Sequence, residues 1–296
     1  MMKSELHLLS SQFKLLKLNI TVQLEQSVQL PPFKGAMWHG LFGHAFKAHD
    51  ERLYQVFYGE HAQQQPKPYA IFPDGDHKEH WHKGELLSVE LTVFGEACEM
   101  APAIVEALQH ASNSKYLGIG DKRASFKVLS VSSNTPYGLT AGIKTLSLQD
   151  WLPPVSDYQR EIEVALHFVT PVRAKHQGQV IKDQAPQLAF WLNQTLRRLT
   201  QISRFWVVDD EAIFSRIYEQ MQCHIPRQCD TQSDCYFEDW LRYSARHEKR
   251  IPIGGLKGQV SFYGELGPLL PLLKIGELLQ VGGKTTFGLG KYKLIG

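Results

Sequence analysis

The sequence predicts an α+β chain made of two similar halves. Three observations carry that expectation. Apolar residues alternate at period two in several short runs, recur at helical spacing in others, and the strand–loop–helix order appears twice, about 145 residues apart.

The first unit opens with Leu18, Ile20, Val22 and Leu24, whose alternation reads as a strand. After Pro31-Pro32, residues Met37, Leu41, Phe42, Ala45 and Phe46 fall on one helical stripe. The polar, proline-containing stretch 59–85 reads as a loop. Residues 86–95 and 123–133 read as further strands, separated by a helical segment at 100–113. Together these give β-α-β-β-α-β, the ferredoxin-like order. The linker is placed at 148–161, which holds two prolines between polar flanks. In the second unit, Ile162, Val164, Leu166 and Phe168 alternate as a strand. Leu188, Trp191, Leu192, Leu196 and Leu199 then form a helical stripe. Residues 258–266 and 290–296 are the later strands, with a helix at 268–279 between them. The expected domains are 1–150 and 151–296.

Composition excludes several classes. A hydrophobic content of 43% and a charged content of 21% are those of a soluble globular protein. No run approaches the length of a membrane span, and the first residues lack a signal-peptide pattern. Four cysteines in 296 residues are not a disulfide framework, so a reducing, cytoplasmic setting is expected. The net charge is only +2, but it is distributed in blocks. Residues 171–206 carry six Lys/Arg against one Asp, 207–241 carry two Arg against eight acids, and 242–296 carry nine Lys/Arg against three Glu. Basic blocks of this kind suit a polyanion, though on the charge pattern alone an ordinary solvated surface is the favoured reading.

The densest chemistry lies near the C-terminus. Gly254-Gly255-Leu256-Lys257-Gly258 is followed by Gly282-Gly283-Lys284-Thr285-Thr286-Phe287-Gly288-Leu289-Gly290. Glycine permits close backbone approach, while lysine and threonine supply a cation and hydroxyl donors, so the loop could follow a phosphate backbone. It lacks P-loop spacing. On residue chemistry alone, a hairpin that merely turns the chain is an equal reading. The segment from Gly254 to Leu294 resembles the C-terminal signature of the CRISPR repeat-processing endoribonucleases of the RAMP superfamily. The resemblance implies tandem ferredoxin-like (RAMP/RRM-like) domains with a C-terminal glycine-rich loop that contacts guide-RNA precursor. It also implies cleavage without a cofactor, to 2′,3′-cyclic phosphate and 5′-hydroxyl ends, often with a histidine of the first domain.

That chemistry needs a base for the 2′-hydroxyl, an acid for the leaving 5′-oxygen and cations for the phosphorane. Histidine suits the proton transfers. His39 and His44 lie on the first predicted helix, five residues apart, and diverge by about 140°. Related proteins read Gly-x-x-x-Arg-Gly-x-x-Gly here, so His39 takes the arginine position; Lys34 and Lys47 flank the helix. Relatives also read HVGK before the terminal loop, where this chain has Gln280-Val281-Gly282-Gly283-Lys284. Arg242, Tyr243, Arg246 and His247 match an RYSxRQ-like segment, and Thr170 to Lys175 match a TPxRxK-like turn containing Arg173 and Lys175.

The candidate proton carriers are therefore His39, His44 and His247. The candidate RNA contacts are Lys34, Lys47, Arg173, Lys175, Arg197, Arg198, Arg242, Tyr243, Arg246, Lys257, Lys284, Thr285 and Thr286. Arg197 and Arg198 are adjacent on a helix, so they diverge by about 100° and at most one is expected to face a given phosphate. Cys223-His224, Cys229 and Cys235 are spaced too loosely for a typical zinc site. The expected partners are repeat RNA, as stem-loop precursor and mature guide, and subunits of a CRISPR effector complex, with no membrane. Two alternatives stand beside the nuclease: an RNA-binding subunit that caps guide RNA without useful catalysis, and a zinc-stabilised adaptor that binds protein.

Overall fold

The computed structural model describes residues 2–59, 65–74, 77–153, 161–244 and 249–296, and contains two antiparallel sheets, each covered by helices on one face. The first sheet is built on β1 (Lys14–Leu24), β2 (Tyr69–Pro73), β3 (Leu86–Phe94), β4 (Phe126–Thr135) and β5 (Gly138–Ala141), in the order β2-β3-β1-β4-β5. Leu16, Leu18, Ile20, Val22 and Leu24 of β1 are buried in one core, while Lys17, Asn19, Thr21 and Gln23 take the other face. Three helices cover the apolar face: α2 (Gly35–His49), α3 (Glu51–Tyr58) and α4 (Ala101–Ser112). Helix α2 contributes Trp38, Leu41, Phe42, Ala45 and Phe46, a stripe at helical spacing. Helix α3 is started by Asp50, whose carboxylate accepts from Arg52 N at 2.7 Å.

The second sheet repeats the plan with β6 (Ile162–Val172), β9 (Asp230–Ser233), β13 (Gly255–Gly264) and β14 (Tyr292–Ile295) in the order β9-β13-β6-β14, with β10 (Tyr236–Glu238) also pairing β13. Two short hairpins accompany it: β7 (Lys175–His176) with β8 (Gln179–Val180), and β11 (Leu241–Ser244) with β12 (Lys249–Pro252). Its helices are α5 (Leu188–Trp206), α6 (Glu211–His224) and α7 (Leu270–Leu279). Both sheets thus set the first strand between the third and the fourth. This is the tandem ferredoxin-like arrangement, α+β in class, with the glycine-rich loop between α7 and β14. Helix α1 (Met2–Gln12) stands outside the repeat. Its Leu6 and Leu9 join the second core, packed with α6.

Three sequence readings need correction. The stretch 59–85 is not wholly loop, because Tyr69–Pro73 forms the edge strand β2, paired along β3. Prolines and polar residues on both sides hid a five-residue apolar strand. The acidic, cysteine-containing region, which reads as a loop with free thiols on sequence alone, holds α6, β9 and β10. Leu148–Trp151, in the expected linker, is a 3₁₀ turn with a capping box between Ser147 and Asp150, and Leu148 is buried in the second core. Among the described residues, no helix is long and apolar enough to cross a membrane.

The two halves meet over a buried charged cluster. Lys17 Nζ of β1 lies 3.0 Å from Glu90 Oε1 of β3, Asn134 of β4 donates to Glu90 Oε2 at 2.6 Å, and Lys291 Nζ donates to Glu277 O at 3.1 Å. Lys17, Glu90 and Lys291 are each at most 9% exposed. Burial alone would raise Glu90, but Lys17 and Lys291 outweigh it and hold its carboxyl below the ordinary range. Burial, and then repulsion from Lys17, push the Lys291 ammonium down to about 8. An unfolded lysine titrates at ~10.4. Between those two values the unfolded chain binds more protons, so this residue makes stability rise with pH across the window; below it, the full cost of a buried cation is present. That cost is on the order of 3 kcal/mol. Lys291→Met is expected to raise stability near pH 7 and to flatten the rise toward pH ~9.5. Guanidinium unfolding at the two pH values checks this; an unchanged slope would refute it.

Candidate functional site

The glycine-rich loop is closed by Val281 N donating to Gly290 O at 3.0 Å and is docked on the end of β6. Gly283 N donates to Arg173 O at 2.9 Å, and Gly290 N donates to Pro171 O at 3.0 Å. A one-turn 3₁₀ helix, Thr285–Phe287, forms its tip between two residues in left-handed conformation, Lys284 (φ 67) and Gly288 (φ 88). Lys284 is exposed beside the Phe287 ring, its Nζ 5.9 Å from the centroid. Beneath the tip, Arg198 of α5 donates to Thr285 Oγ1 at 3.0 Å and to Leu279 O at 3.4 Å, and covers the Phe94 ring. Burial brings the Arg198 guanidinium down to about 10, so it stays a cation at neutral pH.

The loop tip lies against the first turns of α2. The decisive contact is at Gly35, where an added Cβ would stand 2.0 Å from Phe287 O. Only a residue without a side chain lets the helix start there. One turn on, His39 Nδ1 lies 3.2 Å from Thr286 O and 3.1 Å from Tyr69 Oη. A carbonyl only accepts, so in this bond Nδ1 is the donor, and the ring is turned with Nε2 away from Thr286. The half-buried ring is packed by Phe287 at 4.0 Å, Tyr58 at 4.9 Å and Tyr69 at 6.4 Å between centroids. The Tyr58 hydroxyl donates to His39 O at 2.7 Å. Burial holds both tyrosines above the ordinary phenol range, so they serve as neutral partners. The arrangement sets a held imidazole and an exposed cation both beside the Phe287 ring, groups suited to transfer of a hydroxyl proton near phosphate.

The structure brings His39, Lys284, Thr285 and Thr286 together. Thr285 is buried and turned to Arg198, while Thr286 meets His39 through its carbonyl. Arg173 ties the loop to β6 through its backbone and donates through Nη1 to Gly254 O at 2.9 Å. Lys175 and Arg197 are exposed, and Arg198 points inward, so the adjacent pair divides as helical geometry requires. His44 and Lys47 are exposed on α2, Lys47 over the Tyr54 ring. Lys257 pairs with Glu238 at 3.3 Å. One expectation is overturned: Lys34 is 2% exposed, with Nζ donating to Lys78 O at 2.9 Å, so it braces the fold and does not face a ligand. Arg242 and Tyr243 lie on β11, and Arg246 and His247 fall outside the described residues.

Tyr58, Tyr69 and Phe287 went unread in the sequence; an aromatic cluster 200 residues apart leaves no local signal. Gln280 is also informative. It is 1% exposed, and its amide donates to Ile71 O at 3.1 Å across the two halves. Cys229 Sγ contacts Asp230 O, whereas Cys235 Sγ contacts Gln259 O, four residues along β13 from the Asp230 pairing with Tyr263. Among the described residues, no group of His, Cys, Asp or Glu is placed to hold a metal ion.

Comparison with known proteins agrees with this geometry. Residues 166–292 match the family described as CRISPR-associated endoribonuclease Cas6, and residues 13–147 match a family described as the AF_1859_N N-terminal domain. The second half of the chain thus carries a match to the Cas6 endoribonuclease family. An uncharacterized protein of Archaeoglobus fulgidus is 22% identical over 302 residues, covering 90% of this chain and 92% of its own length. Among solved structures, a Cas6 product complex superposes with a TM-score of 0.62 at 18% identity, over 95% of this chain and all of the other. A second Cas6 product complex gives 0.57 at 17% identity, over 96% of this chain and all of the other. A chain of a partial Cas6-RT-Cas1–Cas2 complex gives 0.64 at 14% identity, where the match covers 96% of this chain but 46% of that longer one.

The Gly35 contact is open to a direct test. Gly35→Ala forces backbone apart and is expected to destabilise the protein by about 1–3 kcal/mol. Gly40→Ala, on the same helix, meets nothing within 4 Å. It is expected to be neutral or to stabilise by up to about 1 kcal/mol, from helix propensity alone. Denaturant unfolding of the two variants side by side checks the contrast; equal effects would refute the docking geometry.

Proposed function

We propose that this protein is a metal-independent endoribonuclease of the Cas6 family that binds CRISPR repeat RNA and cuts the precursor transcript into guide RNAs. The observation that carries the reading is the placement of His39 Nδ1 on the carbonyl of Thr286, which orients an imidazole base beside Lys284. His39 Nε2 takes the proton of a 2′-hydroxyl, the 2′-oxygen attacks the neighbouring phosphorus, and the bond to the 5′-oxygen breaks. The 5′-oxygen takes up a proton as it leaves, with His44, exposed on α2, and His247 as the candidate donors. The products are a 2′,3′-cyclic phosphate and a 5′-hydroxyl. Lys284 offsets the charge on the phosphorane, which is the part a cation plays in such a step. Lys47, Lys175, Arg197, Arg242, Tyr243 and Arg246 extend the contact with RNA, and Arg198 and Thr285 hold the loop from below. Solved relatives described as product complexes of Cas6 support a role for this fold with RNA.

A second reading is favoured by the same ring packing. An imidazole held by Phe287 at 4.0 Å and hydrogen-bonded to a loop carbonyl can also be a structural latch. The protein would then cap guide RNA in an effector complex without cutting it. Incubation with the host's repeat RNA in excess EDTA separates the readings. Cleavage to a cyclic-phosphate end is expected, with His39→Ala losing about 10²-fold or more in rate while RNA affinity changes little. Tight binding without cleavage would establish the cap; wild-type rates in His39→Ala would remove that residue from the chemistry.

A further inference from the structure

Away from the His39 site, a cleft of about 970 Å³ lies between the β7–β8 hairpin, the segment that follows it, and β10 with the end of β12. That size lies within the range of ligand sites, ~300–1000 Å³. Arg173, His176, Gln179, Lys182, Gln184 and Phe237 line it. One wall is a tight hairpin whose turn residues, Gln177 (φ 49) and Gly178 (φ 83), are both left-handed, the geometry of a two-residue type I′ turn. Such a wall is fixed before any ligand arrives.

The lining has the chemistry of base recognition more than of phosphate binding. Its two permanent cations, Arg173 and Lys182, are matched by Asp183 and Asp239. With formal charge so balanced, the cleft has little to offer a chain of phosphates. Glutamine amides each offer a donor pair and an acceptor, which suits the exposed edges of unpaired bases. Phe237 offers a stacking face, at present covered by Lys182 Nζ at 5.6 Å from the centroid. A double helix keeps its bases stacked and paired, so a concave site of this size fits single-stranded nucleotides. The cleft is also joined to the glycine-rich loop, since Arg173, on its wall, bonds Gly283 through its backbone.

We infer that this cleft is a single-stranded RNA subsite that reads a few unpaired bases of the strand held by the glycine-rich loop. The inference rests on the RNA-binding reading given above and adds a site to it. Bases would enter between the hairpin and Phe237, displace the Lys182 ammonium from the ring, and be sorted by Gln179 and Gln184.

The test uses the full-length protein and the host's repeat RNA, with the unpaired nucleotides trimmed stepwise from either end. Trimming one end is expected to weaken binding about tenfold, the scale of one or two stacked bases. The double variant Gln179→Ala/Gln184→Ala, both exposed residues, should bind the untrimmed RNA as weakly as wild type binds the trimmed one, and should show no further loss on trimming. The slope of affinity against salt should be the same for variant and wild type, because no phosphate contact is removed. Phe237→Leu, which keeps an apolar side chain, should reproduce the loss. If trimming neither end matters, or if the double variant still loses tenfold on trimming, the subsite assignment is overturned while repeat binding stands. If wild type does not bind repeat RNA at all, the functional reading and the subsite fall together.

Discussion

The approach of the Phe287 carbonyl to Gly35 is the constraint on which the candidate site depends. It joins the C-terminal loop of the second domain to the first helix of the first domain through backbone atoms. Everything with chemical interest is referred to it: His39 meets Thr286 one turn along α2, Phe287 packs the imidazole, and Lys284 is carried at the loop edge. Neither half contains this site alone. The contact is between backbone groups and therefore fixes position more tightly than long side chains could, since those lose rotamer freedom to hold a geometry. Arg198 supplies the floor, and its reach to both Leu279 O and Thr285 Oγ1 ties the loop to the end of α7.

The seam that sets the two domains in register is polar where it could have been apolar. Lys17, Glu90, Asn134 and Lys291 bury charge, and buried ion pairs return little net stability after desolvation. Lys17, Glu90 and Asn134 are bonded within the first half, and Lys291 of the second acts on Glu90 through its charge, so taking Lys17 away would leave Glu90 without its direct ion pair. An apolar seam would tolerate sliding of one sheet over the other, and a slide of one or two ångströms would separate His39 from Thr286. Gln280 acts in the same sense, reaching Ile71 O from a left-handed backbone position. Trp206 adds a third tie, donating to Pro66 O at 2.9 Å.

How far the sequence revealed this depends on the range of each signal. Strands and helices with strong periodicity, such as β1, β6, α2 and α5, were legible because burial imposes period two or 3.6 on neighbouring residues. β2 was not, since five apolar residues between prolines carry too few periods. Helix α6 was obscured by its charge: Ile213, Phe214, Ile217 and Met221 are buried, but Glu211, Glu219 and the flanking Asp209 and Asp210 dominate a reading by composition. At the site, His39 and the glycine-rich loop each showed a local pattern, and residue types alone could single them out. Their meeting could not be read, because a contact spanning 247 residues leaves no trace in spacing. Lys34 failed for the opposite reason. A lysine beside a glycine-rich helix start looks exposed, yet its stem and ammonium are held by Trp81 and Lys78 O.

The two departures from the family pattern can be weighed on this geometry. Relatives with histidine before the terminal loop have it where this chain has Gln280. That position is buried in the seam and turned to Ile71 O, away from exposed Lys284. Glutamine there meets a demand for a hydrogen-bond donor, and its presence does not empty the face on which Lys284 lies. At the family's arginine position the chain has His39. A guanidinium cannot lose its proton near neutral pH, so an arginine there can bind phosphate but cannot serve as a base. An imidazole whose Nδ1 is spent on a carbonyl has its second nitrogen set in direction. The substitution therefore exchanges a fixed cation for a group able to take a proton, at the one place where the loop backbone is arranged to orient it.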